Sequence, residues 1–283
     1  MKAYHTLISA AELAELIGQP HVAIVDCRFD LARPDWGTEQ YHAGHIPGAQ
    51  YLHLDRDLSD PVTPGTGRHP LPDPARLARH LGALGVGNDS QVIAYDQGNG
   101  MYAARAWWLL RWLGHTRVAV LEAGWAAWLA AGGAAEQSVV SPQAEEFVAR
   151  VAAGAVATTA DVEIARNNSH ELVVDARGAD RFAGQNETID RVAGHVPGAV
   201  NHPFVRNLTS DGYFLSRDQL RAAWLGTLGA RAPAQTIAMC GSGVSACHNL
   251  LALEHAGLIG ARLYAGSWSE WITDPLRPTD RQL

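Results

Sequence analysis

Of the 22 basic residues in this 283-residue chain, only Lys2 is not an arginine. Acidic residues outnumber basic ones, 29 to 22, for a net charge of −7, so no basic face for nucleic acid is expected. Cysteine is scarce too. Cys27, Cys240 and Cys247 make no disulfide framework, which fits a reducing compartment. Cys240, Cys247 and His248 do not have zinc-site spacing, and neither a metal nor a cofactor is expected. No run of about 18 apolar residues is present to span a bilayer, and Met1-Lys2-Ala3-Tyr4-His5 lacks the apolar core of a secretory signal. These absences point to a cytoplasmic protein with no membrane or nucleic-acid partner.

What is present suits a globular α/β protein of two domains, at 47% hydrophobic and 18% charged residues. Ser9-Ala10-Ala11-Glu12 has capping-box spacing and opens a helix to about Leu16. Val22 to Val25 reads as a buried strand ending at Asp26-Cys27-Arg28, followed by a polar segment to Gly44. Tyr51 to Leu54 is a second strand candidate, and Asp60 to Pro74 is a long Pro/Gly-rich loop. A helix over 76–84, a strand over 92–95, a helix over 103–113 and a strand over 118–121 complete an alternation typical of a parallel sheet.

The second half repeats this order. Val174-Asp175-Ala176-Arg177 echoes Val25-Asp26-Cys27-Arg28, and Gly194-His195-Val196-Pro197-Gly198-Ala199 echoes Gly44-His45-Ile46-Pro47-Gly48-Ala49. Trp268-Ser269-Glu270-Trp271 echoes Trp125 to Trp128. Three matches in register imply a duplicated domain, with boundaries at 1–148 and 158–283. His45 and His195, in the paired turns, read as structural.

The stretch most suggestive of chemistry is Thr236-Ile237-Ala238-Met239-Cys240-Gly241-Ser242-Gly243-Val244-Ser245-Ala246. It predicts a strand, a tight loop and a helix to His255, placing a cysteine among backbone N–H groups at a helix N-terminus, surroundings that favour the nucleophilic thiolate. In the first half the same place is taken by Asp96. Only the second domain then carries the nucleophile. Cys247, on the following helix, and Cys27, at a strand end, read as packing residues.

Taken together, the duplication, the paired Gly-His-(Ile/Val)-Pro-Gly-Ala turns, the single cysteine loop and the terminal Gly-Ser-Trp-Ser-Glu-Trp resemble the tandem rhodanese-domain sulfurtransferases. The loop Cys-Gly-Ser-Gly-Val-Ser-Ala is similar to the mercaptopyruvate-using branch, whereas thiosulfate-type members carry Arg and Lys where this chain has Gly241 and Ser242. The resemblance implies two rhodanese-like domains, each a parallel sheet of about five strands flanked by helices. It also implies attack by Cys240 on a donor's sulfur, a persulfide, and transfer to cyanide, a small thiol or thioredoxin. It assigns donor binding to Arg181 and Arg191 with the loop residues Gly241, Gly243, Val244 and Ser245, and a Ser-His-Asp arrangement to Ser242, His69 and Asp55, the last two reaching from the first domain's loop. Thiosulfate:cyanide transfer and a non-catalytic rhodanese-like binding protein are the alternatives. A cysteine phosphatase would need an arginine where Ala246 stands.

Overall fold

The computed structural model describes residues 2–168 and 170–281. The chain forms two compact units: unit 1 takes Met1–Asp60, Leu71–Ala152 and Ser210–Phe214, and unit 2 takes Pro61–Pro70, Ala153–Thr209 and Leu215–Leu283. Each unit therefore includes a short segment from the other half of the sequence. No helix among the described residues is long and apolar enough to cross a membrane.

Unit 1 runs β1 (Leu7–Ile8), α1 (Ala10–Leu16), β2 (Val22–Asp26), α2 (Trp36–Ala43), β3 (Gln50–Tyr51), α3 (Pro74–Ala83), β4 (Gln91–Tyr95), α4 (Met101–Trp112), β5 (Val118–Leu121) and α5 (Gly124–Ala130). All pairings are parallel, in the order β1-β5-β4-β2-β3. The central strands β4 and β5 are buried along their whole length, as expected of a parallel sheet covered on both faces. Ile24, Ile93, Tyr95, Leu121 and Trp128 belong to its core.

Unit 2 repeats the plan with β6 (Val156–Ala157), α6 (Thr159–Arg166), β7 (Leu172–Asp175), α7 (Ala179–Ala183), β8 (Val200–Asn201), α8 (Arg217–Leu228), β9 (Thr236–Met239), α9 (Ser245–His255), β10 (Arg262–Tyr264) and α10 (Ser267–Trp271). Its order, β6-β10-β9-β7-β8, is that of unit 1 strand for strand. Both first helices start in capping boxes: Ser9 with Glu12, and Thr158 with Asp161.

Each sheet is braced at the same place. Arg28 pairs with Asp26 and donates to the Gly44 carbonyl (2.7 Å), while Arg177 pairs with Asp175 and donates to the Gly194 carbonyl (2.8 Å), all four side chains being buried. Their guanidiniums lie over Trp125 and Trp268. The paired turns follow suit, His45 stacking on Tyr41 and His195 on Phe182, each with Nδ1 at a carbonyl of the preceding helix.

Two differences from the sequence reading stand out. The polar segment before Gly44 contains α2, and the second strand candidate is the two-residue β3, displaced to Gln50–Tyr51. Leu52, Leu54 and Leu58 lie beyond it as buried loop residues.

Candidate functional site

β9 is buried at all four positions and delivers Cys240 to the carboxyl edge of the unit 2 sheet. The chain then turns through Gly241, Ser242 and Gly243 into α9. At Gly243 φ is +77°, and a Cβ would lie 2.4 Å from the Ala265 carbonyl oxygen, so both conformation and space call for glycine. That turn aims the Gly243 N–H at the Cys240 Sγ, 3.1 Å away. Cys240 itself is buried.

A second loop clasps the first. The Cys240 N–H donates to Ser267 Oγ (3.0 Å), which in turn donates to the Tyr264 carbonyl. The Cys240 and Gly241 carbonyls accept from the Trp268 and Ser269 N–H groups (3.0 and 2.9 Å). Ser267 adopts φ +54°, a costly conformation for serine, maintained by this mesh of bonds. Behind the loop, Cys247 Sγ donates to the Gly243 carbonyl (3.2 Å), so this buried thiol braces the turn. Burial pushes the Cys27 thiol well up, reinforced by Asp26, Asp96 and Asp57, which keeps it a protonated packing residue.

Unit 1 contains a copy of the loop with a carboxylate in the cysteine's place. Asp96 Oδ1 accepts from the Gly98 and Gly100 N–H groups (2.9 and 3.0 Å), and Oδ2 accepts from Tyr102 and Ala103 (2.9 and 3.3 Å). The Trp125 N–H donates to the Asp96 carbonyl, as Trp268 does to Cys240. Four N–H groups converging on one buried carboxylate show that this strand-loop-helix turn makes an anion cradle. A cavity of ≈ 470 Å³ adjoins it in unit 1, lined by Gly98, alanines in and beside α5 and Ser210 to Tyr213, with no cysteine in its lining.

Segment Pro61–Pro70 packs with unit 2 rather than with the first half of the chain. At Gly67 a Cβ would sit 2.4 Å from the Gly266 carbonyl oxygen, so only glycine permits the approach. The Arg68 N–H then donates to Ser269 Oγ (3.0 Å), and His69 Nδ1 lies 2.7 Å from Ser242 Oγ, both side chains buried, across 173 residues of sequence. Asp55, the third residue of that arrangement, belongs to unit 1, where it is exposed and its N–H donates to His53 Nδ1.

Arg181 stands beside the loop, its Nη atoms 3.6 and 3.8 Å from where a Gly241 Cβ would be. Its Nε donates to Glu187, and its Nη2, the nearer of those two atoms, donates to Asp190 (3.0 Å) and pairs with Glu187 (2.9 Å). Burial opposes the charge on Glu187, but Arg181 and the Ile189 and Asp190 N–H groups prevail and hold its carboxyl below the ordinary value. Arg191 makes a different contact: its guanidinium donates to the Ile272 carbonyl, just past α10. The second guanidinium at Gly241 belongs to Arg68, which sequence reasoning missed. Its position depends on the docking of segment Pro61–Pro70, for which no local pattern exists. Among the described residues no group of three His, Cys, Asp or Glu side chains could hold a metal ion.

Comparison with known proteins agrees with this architecture. The rhodanese-like domain family matches residues 9–131 and again 158–274. A probable 3-mercaptopyruvate sulfurtransferase of Pseudomonas aeruginosa is 48% identical over 274 residues, 96% of each chain. A putative thiosulfate sulfurtransferase of Mycobacterium tuberculosis is 41% identical, covering 97% of this chain and 96% of its own. Among solved structures, the 3-mercaptopyruvate sulfurtransferase of Escherichia coli superposes with a TM-score of 0.81 at 34% identity, over 94% of this chain and 100% of its own. With two family matches at the two repeats and relatives of this identity along nearly its full length, the chain belongs to the tandem-domain rhodanese family of sulfurtransferases.

Proposed function

We propose that the protein moves sulfur from 3-mercaptopyruvate through a Cys240 persulfide to a thiophilic acceptor: cyanide, a small thiol or thioredoxin. The observation that carries this reading is the pair of matched loops, one closed on the Asp96 carboxylate and the other holding Cys240 with Gly243 N–H at its sulfur. A persulfide extends from Cβ by two heavy atoms and ends in a negative charge, as the Asp96 carboxylate does. The cradle that binds one suits the other. N–H groups fixed before reaction stabilise such an anion without reorganising.

The transfer balances as follows. The Cys240 thiolate attacks the donor's sulfur, the donor's C–S bond breaks with its electron pair left on the pyruvate enolate, and the thiol proton passes to that carbon to give pyruvate. Ser242, hydrogen-bonded to His69, handles this proton in our reading. Asp55 is the residue we assign to orient His69, and Arg181 holds the donor's carboxylate beside Gly241, Val244 and Ser245. In the second half-reaction the acceptor attacks the outer sulfur and the Cys240 thiolate leaves. Unit 1, with Asp96 in place of the cysteine, performs no transfer.

A single turnover with 3-mercaptopyruvate tests the proposal. The wild-type protein should gain one sulfur atom on Cys240 and release thiocyanate on adding cyanide, and Cys240→Ser should do neither, whereas Cys27→Ser should match wild type. Residual turnover in Cys240→Ser within about tenfold of wild type, a barrier change of only ~1.4 kcal/mol, refutes it. The ratio of kcat/KM for 3-mercaptopyruvate and thiosulfate tests the donor, and a preference for thiosulfate overturns that part alone.

A further inference from the structure

We propose that Arg68 is a donor-binding, specificity-determining residue, which together with Arg181 forms a two-guanidinium clamp held by Asp190. This deepens the sulfurtransferase reading and rests on it. No basic residue occurs from Cys240 to Cys247, so charge to meet an anionic donor must come from elsewhere. A Cβ at Gly241 would lie 2.9 Å from Arg68 Nη2, nearer than either Nη of Arg181. The Arg68 side chain remains 30% exposed and thus reachable.

Asp190 explains how two like charges rest side by side. Its Oδ1 pairs with Arg68 Nη1 and its Oδ2 with Arg181 Nη2, while Glu187 takes the Arg181 Nε and shares Nη2. The pairing with Asp190 leaves Arg68 Nη2 directed at the Cys240 loop. Asp190 is 3% exposed, so the carboxylate is spent on alignment and is not offered to solvent. An anion entering at Gly241 meets Arg68 Nη2 and Arg181 Nη1, two charged donors whose guanidiniums are fixed by the carboxylates behind them. Glycine at 241 leaves room for both.

The experiment compares alkylation of Cys240 by iodoacetate, an anion, and by iodoacetamide, its neutral analogue, alongside turnover of 3-mercaptopyruvate. In Arg68→Met the iodoacetate-to-iodoacetamide rate ratio should fall at least about tenfold, with a comparable rise in KM, the loss of one charge-assisted hydrogen-bonding partner. Gly241→Ala, whose new methyl pushes the same guanidinium aside, should lower the ratio in the same direction. A ratio in Arg68→Met within twofold of wild type overturns the proposal whatever happens to turnover. Failure of both reagents to label Cys240 in the wild-type protein overturns the sulfurtransferase reading instead.

Discussion

Replacing Asp96 by asparagine tests whether the unit 1 loop depends on its internal carboxyl group. Both carboxylate oxygens accept two N–H groups each, and the side chain is fully buried. An amide can turn only one acceptor to the loop, and its NH2 then faces two N–H donors. Leaving a buried donor unsatisfied costs about 1–3 kcal/mol, so two of them set the loss at roughly 2–4 kcal/mol after some relaxation. For a unit of this size each kcal/mol lowers Tm by about 2–4 °C, which gives a decrease on the order of 5–15 °C. The effect should grow on acidification. Burial raises the Asp96 carboxyl above its ordinary value in spite of its N–H partners, so the folded protein binds that proton more readily than the unfolded chain does. Its contribution is full below the unfolded value and declines as pH rises through the folded one. The asparagine variant lacks this term, and its deficit should widen as pH falls from neutrality toward the unfolded value. Calorimetry across that range, with sulfur transfer measured at 25 °C, is the assay. A Tm equal to that of wild type at every pH refutes the cradle argument, and loss of transfer in a folded variant refutes the division of labour between the units.

Arg181→Ala should raise KM for mercaptopyruvate by about 30- to 150-fold, the loss of roughly 2–3 kcal/mol, while iodoacetamide still labels Cys240; an unchanged KM would remove Arg181 from donor binding. Ser242→Ala should slow the first half-reaction by about a hundredfold with little change in KM, and equal rates in single-turnover measurements would exclude a proton-handling role for the Ser242-His69 pair. Burial, aided by Arg206, lowers His202 to about 4, so the stability it contributes is present above pH 6.5 and is lost as pH falls through 4. His202→Asn should flatten the dependence of urea midpoint on pH in that window; an undiminished slope would assign the acid lability elsewhere.

Much of the fold was legible because its signals are local. The capping box at Ser9, the apolar runs of β2, β4, β5 and β9, and the repeated Asp-X-Arg and Gly-His turns all depend on neighbouring residues. α2 escaped because its N-cap, Asp35, makes no side-chain capping bond and its sequence, with Trp36-Gly37 at the start, has no clear apolar face. At the site, the cysteine loop could be read because strand, glycines and helix are contiguous. Arg68 could not, since its contact with Asp190 spans 122 residues. Arg191 was named from a sequence motif, and its guanidinium donates to the Ile272 carbonyl.

The exchange of short segments between the units bears on how such a duplication can evolve. A freshly duplicated domain is a free module, able to be lost, shuffled or expressed alone. Here unit 2 draws residues 61–70, with Arg68 and His69, from the opposite side of the junction near Ala153, and unit 1 draws residues 210–214 in return. A gene broken at that junction would encode a second half holding Cys240 but missing Arg68 and His69, whose side chains lie at the Cys240 loop. The repeats are thus no longer separable copies.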